Sequence, residues 1–203
     1  MSKPEDSQYV CHIDLETTGN TDKYTIIEIG AVMTDRDLNE LDHMQITTHY
    51  PIDLVKFLDP VVQEMHTKNG LWVQSDMSEI DVALADDIMV NWMKKFTKGE
   101  HIPLGGSGVS HFDHPKFIER QLPKLNNYLS YWAYDVGTFR RMLRWFGIPI
   151  IDEDHPDLNH RALDDIRAHI DETRRYRDQL RAAFGISMSV MDFSYLDSSG
   201  API

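Results

Sequence analysis

The amino-acid sequence predicts an α/β domain with one mixed, five-stranded sheet flanked by helices. Three strand-like stretches come first along the chain, and helices alternate with short strands after them, an order typical of α/β architecture. The chain has 203 residues, of which 41% are hydrophobic and 26% are charged. These proportions are typical of a globular protein that buries one core, and no internal repeat indicates a second domain.

The first half of the chain is predicted to begin with an antiparallel meander. Polar turns separate its three apolar strands, which are residues 9–15, 26–34 and 43–50. Residues 51–72 are predicted to be irregular with short helical pieces. Apolar residues then recur at helical spacing and predict a helix over 75–96, which Ser75 or Ser78 is suited to cap. The apolar residues of this helix are Ile80, Leu84, Ile88 and Trp92.

The second half is predicted to alternate between short strands and helices. The strands are residues 102–104 and 133–136, and the helices are residues 113–121, 122–129, 138–146 and 161–183. Pro123 separates the first two helices, and Gly147 is expected to end the third. Residues 1–8 are expected to be disordered, 9–183 to form the folded domain, and 184–203 to form a tail that docks or stays mobile.

The net charge of −13 limits the partners that the protein can bind. Proteins that bind long duplex DNA are usually basic, so an acidic chain that acts on phosphates is expected to use metal ions and short or single-stranded substrates. No apolar run approaches the length of a membrane span, and the polar start lacks the apolar core of a signal peptide. The single cysteine, Cys11, fits a reducing cytoplasm.

Asp14 and Glu16 stand two residues apart in a predicted apolar strand. Side chains at positions i and i+2 of a strand project from the same face, so these two carboxylates would lie side by side. Paired carboxylates repel each other unless a cation lies between them, and hard oxygen ligands suit Mg²⁺ or Mn²⁺. The alternative is a strand end with two solvated acids, which is the better explanation for the pair taken alone.

The apolar stripe of the long C-terminal helix predicts which of its two adjacent acids faces the core. Its inner stripe repeats every three to four residues and comprises Leu163, Ile166, Ile170, Thr173, Tyr176 and Leu180. At about 100° per residue, Asp165 falls at the edge of this stripe, whereas Asp164 points to the opposite, solvent side. His160 can work with Asp165 only from the loop before the helix. The alternative for this histidine is a capping or surface residue.

Asp113 follows a glycine-rich turn and precedes a predicted helix. The helix dipole favours a carboxylate at that place, so simple N-capping is the structural explanation for this residue. His111 and His114 flank Asp113, but no second cluster of soft ligands supports a zinc site. Both histidines are therefore interpreted as ordinary loop residues.

The segments that contain these residues resemble the DEDDh 3′→5′ exonucleases in order and spacing. They are residues 13–19 (IDLETTG), 111–113 (HFD) and 160–165 (HRALDD). The histidine five residues before the last aspartate separates this branch of the family from the tyrosine branch. Within the family, the chain is most similar to the oligoribonucleases, and the supporting segments are residues 26–31, 65–71, 134–138 and 164–167.

The resemblance implies a ribonuclease H-like fold, a homodimer and hydrolysis of short single-stranded RNA to 5′-mononucleotides, with single-stranded DNA as a further substrate. It implies two Mg²⁺ or Mn²⁺ ions per site and His160 as the general base, which accepts a proton from a water that a metal activates. The implied metal ligands are Asp14, Glu16, Asp113 and Asp165. The implied substrate-binding residues are Thr17, Gly19, His66 and Tyr131.

Three positions depart from the oligoribonuclease pattern. Asn20 stands where a leucine wedges the terminal bases, and Val61 stands where a tryptophan precedes the histidine of the second segment by five residues. Of the tyrosine-rich phosphate cap that a partner subunit donates, only Tyr131 occupies the key position. Strict preference for dinucleotides is therefore not expected, although all five catalytic residue types are present.

Two other functions stay open from the sequence. One is a DNA-directed exonuclease of the proofreading or trimming type, because residues 108–113 are also similar to general DEDDh exonucleases. The other is an inactive ribonuclease H-like module that binds proteins. Four converging acids destabilise a fold without metal, so a module without catalytic function would have no physical reason to keep them.

Overall fold

The computed structural model describes residues 7–150 and 159–185. The predictions of a disordered start and of a C-terminal tail fall almost entirely on the remaining residues, outside the described part of the chain. The domain boundaries therefore stay predictions. None of the helices within the described ranges is long and apolar enough to cross a membrane.

Five strands form one mixed sheet. They are β1 (Tyr9–Thr17), β2 (Ile26–Asp35), β3 (Glu40–Thr47), β4 (Ile102–Gly106) and β5 (Leu129–Asp135). Their order across the sheet is β3-β2-β1-β4-β5, so β1 lies at the centre. β1, β2 and β3 pair antiparallel, whereas β4 is parallel to β1 and β5 is parallel to β4. The predicted meander and mixed five-stranded sheet are thus confirmed.

Helices connect and flank the strands. In chain order they are α1 (Pro60–Lys68), α2 (Leu71–Met77), α3 (Val82–Met93), α4 (Glu119–Gln121), α5 (Pro123–Asn126), α6 (Val136–Trp145) and α7 (Ala162–Ala183). A 3₁₀ helix at Ile52–Phe57 precedes α1, and a π-helical turn at His114–Ile118 leads into α4. The predicted short helical pieces after β3 and the predicted long C-terminal helix are both present.

The predicted single helix over 75–96 is wrong, because the chain forms α2 and α3 with a break between them. The hydroxyl groups of Ser75 and Ser78 donate to backbone carbonyl oxygens at the end of β3, so they tie α2 to the sheet, and neither residue caps the start of a helix. Asp81 is the N-cap of α3 and accepts from the amide of Leu84 at 2.7 Å. Leu84 is 47% exposed, so the buried face differs from the predicted stripe.

Other boundaries differ by a few residues. β3 starts at Glu40, three residues before its predicted start. β5 starts at Leu129, at the end of a predicted helix, because the backbone from this residue onward pairs with β4. α6 starts at Val136 because Asp135 accepts a hydrogen bond from the amide of Thr138 at 2.9 Å and acts as the N-cap.

Helix α7 packs across β1 and β2 and brings the C-terminal part of the chain to the centre of the sheet. Leu163 and Ile166 of α7 pack with Val32 of β2 in a buried apolar cluster. The approach is closest at Gly30 of β2, where a Cβ atom would lie 2.6 Å from the backbone carbonyl carbon of Ala162. Because Gly30 has no side chain, the first turn of α7 can lie directly against the sheet.

Candidate active site

The central strand β1 presents two carboxylates toward the start of α7. Asp14 is half-buried, and Glu16 is 7% exposed. In the pairing with β2, Asp14 lies opposite Gly30 and Glu16 lies opposite Glu28. Their spacing of two residues places both side chains on the face of the sheet that α7 covers, as the sequence predicts. The alternative of two solvated acids at a strand end is therefore wrong.

Helix α7 presents Asp165, and not Asp164, to these two acids. Asp165 is 5% exposed, whereas Asp164 lies on the surface. The burial of the two residues agrees with the helical phase predicted from the apolar stripe. Asp164 is nevertheless engaged, because its Oδ2 accepts a hydrogen bond from the side-chain amide of Asn159 at 2.7 Å.

His160 approaches the acids from the loop that precedes α7. It is exposed, and its backbone lies in the left-handed region at φ 53°, which few non-glycine residues adopt. One potential ligand atom from each of Glu16, His160 and Asp165 lies within 4.8 Å of the other two. The fold thus brings together a strand residue, a loop residue and a helix residue that are far apart in the sequence.

Asp113 is buried, with 3% of its surface exposed, and it does not cap a helix. The backbone at Asp113 is already helical, with φ −61° and ψ −49°, and its side chain makes no capping hydrogen bond. The N-cap explanation is therefore wrong. The backbone of Leu15 in β1 acts to lower the pKa of the Asp113 carboxyl group, which places this group beside the strand that bears Asp14 and Glu16.

Asp135 holds the turn that leads to Asp113. Its carboxylate accepts from the amides of Gly108 and Ser110 at 3.0 and 3.1 Å, and it caps α6 through Thr138. Burial acts to raise the pKa of Asp135, but a hydrogen bond from the Ser110 hydroxyl, together with those from the backbone amides, lowers the pKa below its usual value. The ionised side chain therefore fixes the glycine-rich turn to the start of α6.

The four predicted metal ligands have raised pKa values, and burial is the largest cause for each. Burial and then the charge of Asp165 raise the pKa of Glu16 to about 8. Burial raises the pKa of Asp113 to about 7 and, with the charge of Asp164, raises that of Asp165 to about 6. The pKa of Asp14 is raised well above its usual value by burial and then by the charge of Asp113.

This donor set fits a hard divalent cation. Mutual repulsion of buried carboxylates is relieved when a cation binds between them. The Oδ1 atom of Asp165 is buried without a hydrogen-bond partner. Buried polar oxygens usually bind a donor, a water or an ion, so this atom is available as a ligand. Carboxylate oxygens without a thiolate are the ligands that Mg²⁺ and Mn²⁺ prefer. Glu16, His160 and Asp165 therefore form a group that can hold a metal ion.

The sequence patterns missed Glu28, which supports this site from β2. Glu28 has no exposed surface, and its carboxylate accepts from the guanidinium of Arg161 at 2.6 Å and from the amide of Ala162 at 2.9 Å. The amide of Gln45 also donates to it at 3.0 Å. Glu28 thereby anchors the first turn of α7 to the sheet. The available signal was a lone acid within the apolar run 26–31.

The predicted substrate-binding residues lie in two different places. Thr17 follows Glu16 on β1, and its hydroxyl donates to the carbonyl of Gly19 at 2.7 Å. The Nε2 atom of His66 lies 3.7 Å from a carboxylate oxygen of Glu16, and burial lowers the pKa of His66 to about 4, so its ring is neutral at pH 7. Tyr131, by contrast, lies on β5 with 90% of its surface exposed, two strands away from β1.

His111 lies in a turn, as predicted, whereas His114 begins the π-helical turn His114–Ile118, so the prediction of a loop is wrong for His114. The Nε2 atom of His114 lies 2.8 Å from the side-chain oxygen of Asn126, and the ring of His111 lies 3.8 Å from the carboxylate of Asp135. In residues 7–150 and 159–185, neither histidine joins a group of three potential metal ligands.

A groove of about 460 Å³ opens beside His160. Its described lining includes Val61, Met65, Lys68, Asn69, Asn159 and His160. A larger apolar groove of about 770 Å³ lies between β5, α6 and the end of α7, and none of the predicted catalytic residues lines the described part of it. The smaller groove is therefore the better candidate for a substrate path, because His160, which is grouped with Glu16 and Asp165, lines it.

Known proteins match this chain over most of its length. The exonuclease family of the RNase T type matches residues 11–173. An oligoribonuclease of Mycobacterium sp. (strain KMS) is 34% identical over 81% of this chain and 78% of that protein. The oligoribonuclease of Mycobacterium leprae is 32% identical over 94% of this chain and 90% of that protein. The oligoribonuclease of Xanthomonas axonopodis pv. citri is 30% identical over 85% of this chain and 89% of that protein.

Solved exonuclease structures share the fold. A full-length 3′-exonuclease has a TM-score of 0.56 at 20% identity, over 85% of this chain and 83% of that chain. Exonuclease I from Methylocaldum szegediense has a TM-score of 0.61 at 16% identity over 87% of this chain, which spans 43% of that chain. E. coli exonuclease I in complex with a dT13 oligonucleotide has a TM-score of 0.60 at 14% identity. The match covers 88% of this chain and 44% of that chain.

These likenesses confirm the predicted ribonuclease H-like fold. The family match covers the four acids, His160 and the strands and helices that position them. The relatives with more than 30% identity cover over two thirds of the chain. The chain belongs to the RNase T exonuclease family.

Proposed function

We propose that the protein is a metal-dependent 3′→5′ exonuclease that degrades short single-stranded RNA to 5′-mononucleotides. The observation that carries this proposal is the convergence of Glu16, His160 and Asp165, whose ligand atoms lie within 4.8 Å of one another. Membership of an exonuclease family makes phosphodiester hydrolysis the reaction that this group would perform. Relatives with 30–34% identity are named oligoribonucleases, which supports short RNA as the substrate.

Two Mg²⁺ or Mn²⁺ ions are proposed as the cofactors. Their ligands would be Asp14, Glu16, Asp113 and Asp165. When bound, such ions lower the pKa of an attacking water and stabilise the charge of the leaving 3′ oxygen. The raised pKa values of these carboxyl groups support the proposal, because a cation would release their protons and remove the repulsion among them.

His160 is proposed as the proton acceptor of the reaction. Its ring lies beside two buried acids, and the residue is exposed, so it can accept a proton in the site and release it to solvent. His66 is less suited to that role, because burial lowers its pKa to about 4, which makes its ring a weak base at pH 7. The buried ring of His66 packs edge-on against Trp72, with ring centroids 5.1 Å apart, and is proposed to position substrate beside Glu16.

The substrate strand is proposed to follow the groove beside His160. Lys68 in this groove is ion-paired with Glu64 at 2.7 Å, so the groove has little excess positive charge for a long polyanion. Val61 is 67% exposed at the groove, and Asn20 is exposed after β1. Because neither position has the large apolar side chain of the oligoribonuclease pattern, the length preference is proposed to extend beyond dinucleotides.

The active form is proposed to be a homodimer. Four aromatic side chains on β5 and at the end of α6 are more than half exposed: Tyr131, Trp132, Trp145 and Phe146. Among the residues that the structure describes, β5 is also an edge strand, because no described strand pairs with its outer side. Exposed aromatic groups beside an open edge support an interface between subunits. Tyr131 would then complete the site of the partner subunit.

Incubation of the purified protein with Mn²⁺ and 5′-end-labelled RNA and DNA of graded length tests the proposal. We expect stepwise shortening from the 3′ end, release of 5′-mononucleotides, faster hydrolysis of RNA and no reaction in excess chelator. Asp165→Asn should abolish the reaction, and Asp164→Asn is the matched control from the adjacent surface position. Failure to shorten either kind of strand would overturn the proposal.

A DNA-directed exonuclease is the second candidate function. The solved E. coli exonuclease I in complex with dT13 has the same fold, at 14% identity. Faster hydrolysis of the DNA series in the same assay would favour this candidate. An inactive module would give no product from either series even when Mn²⁺ raises its melting temperature.

A further inference from the structure

We propose that Asn69 is a positioning residue, which holds the backbone of His160 in the conformation that directs its imidazole toward Glu16 and Asp165. The inference rests on the proposed function, because it assumes that His160 accepts the proton. Asn69 lies at the end of α1, and His160 lies 91 positions later in the chain. The two residues also line the same groove.

Asn69 presents its side-chain amide from a rigid junction between two helices. It is the C-cap residue of α1, with φ −93° and ψ 0°. Its Oδ1 atom accepts a hydrogen bond from the amide of Leu71 at 3.0 Å, and Leu71 is a fully buried core residue at the start of α2. This hydrogen bond fixes the rotation of the Asn69 side chain and directs the Nδ2 atom toward the loop before α7.

The Nδ2 atom of Asn69 donates to two consecutive backbone carbonyls of that loop. The distances are 3.2 Å to the oxygen of Asn159 and 2.5 Å to the oxygen of His160. The first oxygen belongs to the peptide plane before the Cα atom of His160, and the second belongs to the plane after it. One amide that binds both oxygens therefore restrains φ and ψ of His160 together.

His160 needs such a restraint because its backbone conformation is intrinsically unfavourable. At φ 53°, His160 lies in the left-handed region, which is sterically unfavourable for an L-residue that carries a Cβ atom. On the C-terminal side, Glu28 already holds Arg161 and Ala162. Asn69 supplies a restraint on the N-terminal side. Without it, the loop would relax and the imidazole would turn away from the acids.

Asn69→Asp distinguishes the role of the accepting Oδ1 atom of Asn69 from the role of its donating Nδ2 atom. It keeps an oxygen to accept from Leu71, and it replaces the amide donor by an acceptor that repels the two carbonyls. Asn127→Asp is the matched control, because Asn127 is an exposed C-cap residue of α5 with a similar backbone conformation. Asn69→Ala removes the donor without adding charge, so it separates loss of the hydrogen bonds from an electrostatic effect.

We expect Asn69→Asp and Asn69→Ala to lose kcat on the order of 10- to 100-fold on a short RNA, with KM nearly unchanged. Asn127→Asp should keep the parent kcat. The rise in melting temperature that Mn²⁺ causes should be the same in all variants, which would show that the fold and the acid cluster are intact. Full kcat in both Asn69 variants would overturn the inference.

The decisive comparison repeats Asn69→Ala in a His160→Ala background. If Asn69 acts through His160, its substitution causes no further loss of kcat there. An equal further loss would show that Asn69 acts on the acids or the fold, and it would overturn the inference. A His160→Ala single variant with the parent rate would show that His160 is not the base and would overturn this inference alone. Failure of the parent protein to shorten RNA or DNA would instead overturn the proposed function.

A measurement on the metal-free protein adds a readout that does not depend on turnover. The nuclear magnetic resonance signal of the His160 ring can be assigned by its absence in His160→Ala. We expect one sharp signal in the parent and in Asn127→Asp, and a broadened or doubled signal in Asn69→Ala, because the loop then samples several conformations. An unchanged sharp signal in Asn69→Ala would contradict the proposed restraint.

Discussion

The guanidinium of Arg161 lies 2.6 Å from the carboxylate of Glu28, a side chain with no exposed surface. A buried ion pair stabilises a fold only when further hydrogen bonds satisfy both partners. The backbone amide of Ala162 and the side chain of Gln45 supply these bonds for Glu28, and Gln74 accepts from Arg161 at 2.9 Å. The same contact that holds α7 to β2 therefore holds the loop of the proposed base.

Removal of Glu28 is expected to destabilise the protein strongly. Glu28→Ala removes a fully buried carboxylate and leaves Arg161, whose side chain is 19% exposed, without its counter-charge, so the free energy of unfolding should fall by about 3–5 kcal/mol. Glu40→Ala is the control, because Glu40 pairs with Arg167 of the same helix on the surface, at 2.8 Å. The free energy of unfolding of Glu40→Ala should fall by at most about 1 kcal/mol. Urea denaturation of both variants checks the prediction, and equal losses would contradict it.

The stability of the metal-free protein is expected to fall as the pH rises from about 5 to about 8. The pKa values are raised to about 8 for Glu16, about 7 for Asp113 and about 6 for Asp165, against about 4 in an unfolded chain. In this window, these carboxyl groups hold protons in the folded state that they have lost in the unfolded state, so raising the pH destabilises the folded state. His66, with its pKa lowered to about 4, has the opposite effect below about pH 6.5, where an unfolded histidine is protonated, but the raised acids outnumber it.

Bound Mn²⁺ should remove this pH dependence, because the cation stabilises the ionised acids. Melting temperatures in chelator and in Mn²⁺, measured across the window, check both statements. Asp165→Asn should flatten the metal-free curve, since one of the titrating groups is lost. A melting temperature in chelator that rises with pH would contradict the predicted repulsion.

Hydrolysis is expected to require Mg²⁺ or Mn²⁺ and each of the acids that hold it. Asp14→Ala and Asp165→Ala should abolish turnover without unfolding the protein, because removal of either acid relieves charge repulsion in the buried cluster. Circular dichroism should show a folded protein that melts no lower than the parent in chelator at about pH 8. Parent-like activity in excess chelator would rule out metal dependence.

Local periodicity predicted the positions of the acids, but long-range contacts determined what supports them. The two-residue period of a strand places Asp14 and Glu16 on one face, and the phase of α7 separates Asp165 from Asp164. Glu28 was missed because its role depends on Arg161, which is 133 positions away. Helical spacing likewise cannot reveal that Ser75 bonds to the backbone near β3, so the break between α2 and α3 was not predicted.

Tyr131→Ala is expected to weaken hydrolysis of short RNA if Tyr131 completes the site of a partner subunit. We expect kcat/KM to fall by about tenfold, equivalent to about 1.4 kcal/mol of transition-state binding. Phe57→Ala is the control, because Phe57 is an aromatic residue with 74% exposure that lies outside the proposed interface. Sedimentation at micromolar protein should show a dimer for the parent. A fully active parent monomer would refute the homodimer.

The adjacent loop and helix positions allow a stringent test of the proposed base. His160→Ala should lose on the order of 10²–10⁴-fold in rate, the usual contribution of a positioned proton acceptor, and should still bind Mn²⁺ through the carboxylates. Asp164→Ala should stay close to the parent, because Asp164 is exposed and loses only the hydrogen bond from Asn159. Single-turnover cleavage in saturating Mn²⁺ compares the two variants directly. If Asp164→Ala is inactive and Asp165→Ala is active, the assignment of the acid on α7 is wrong.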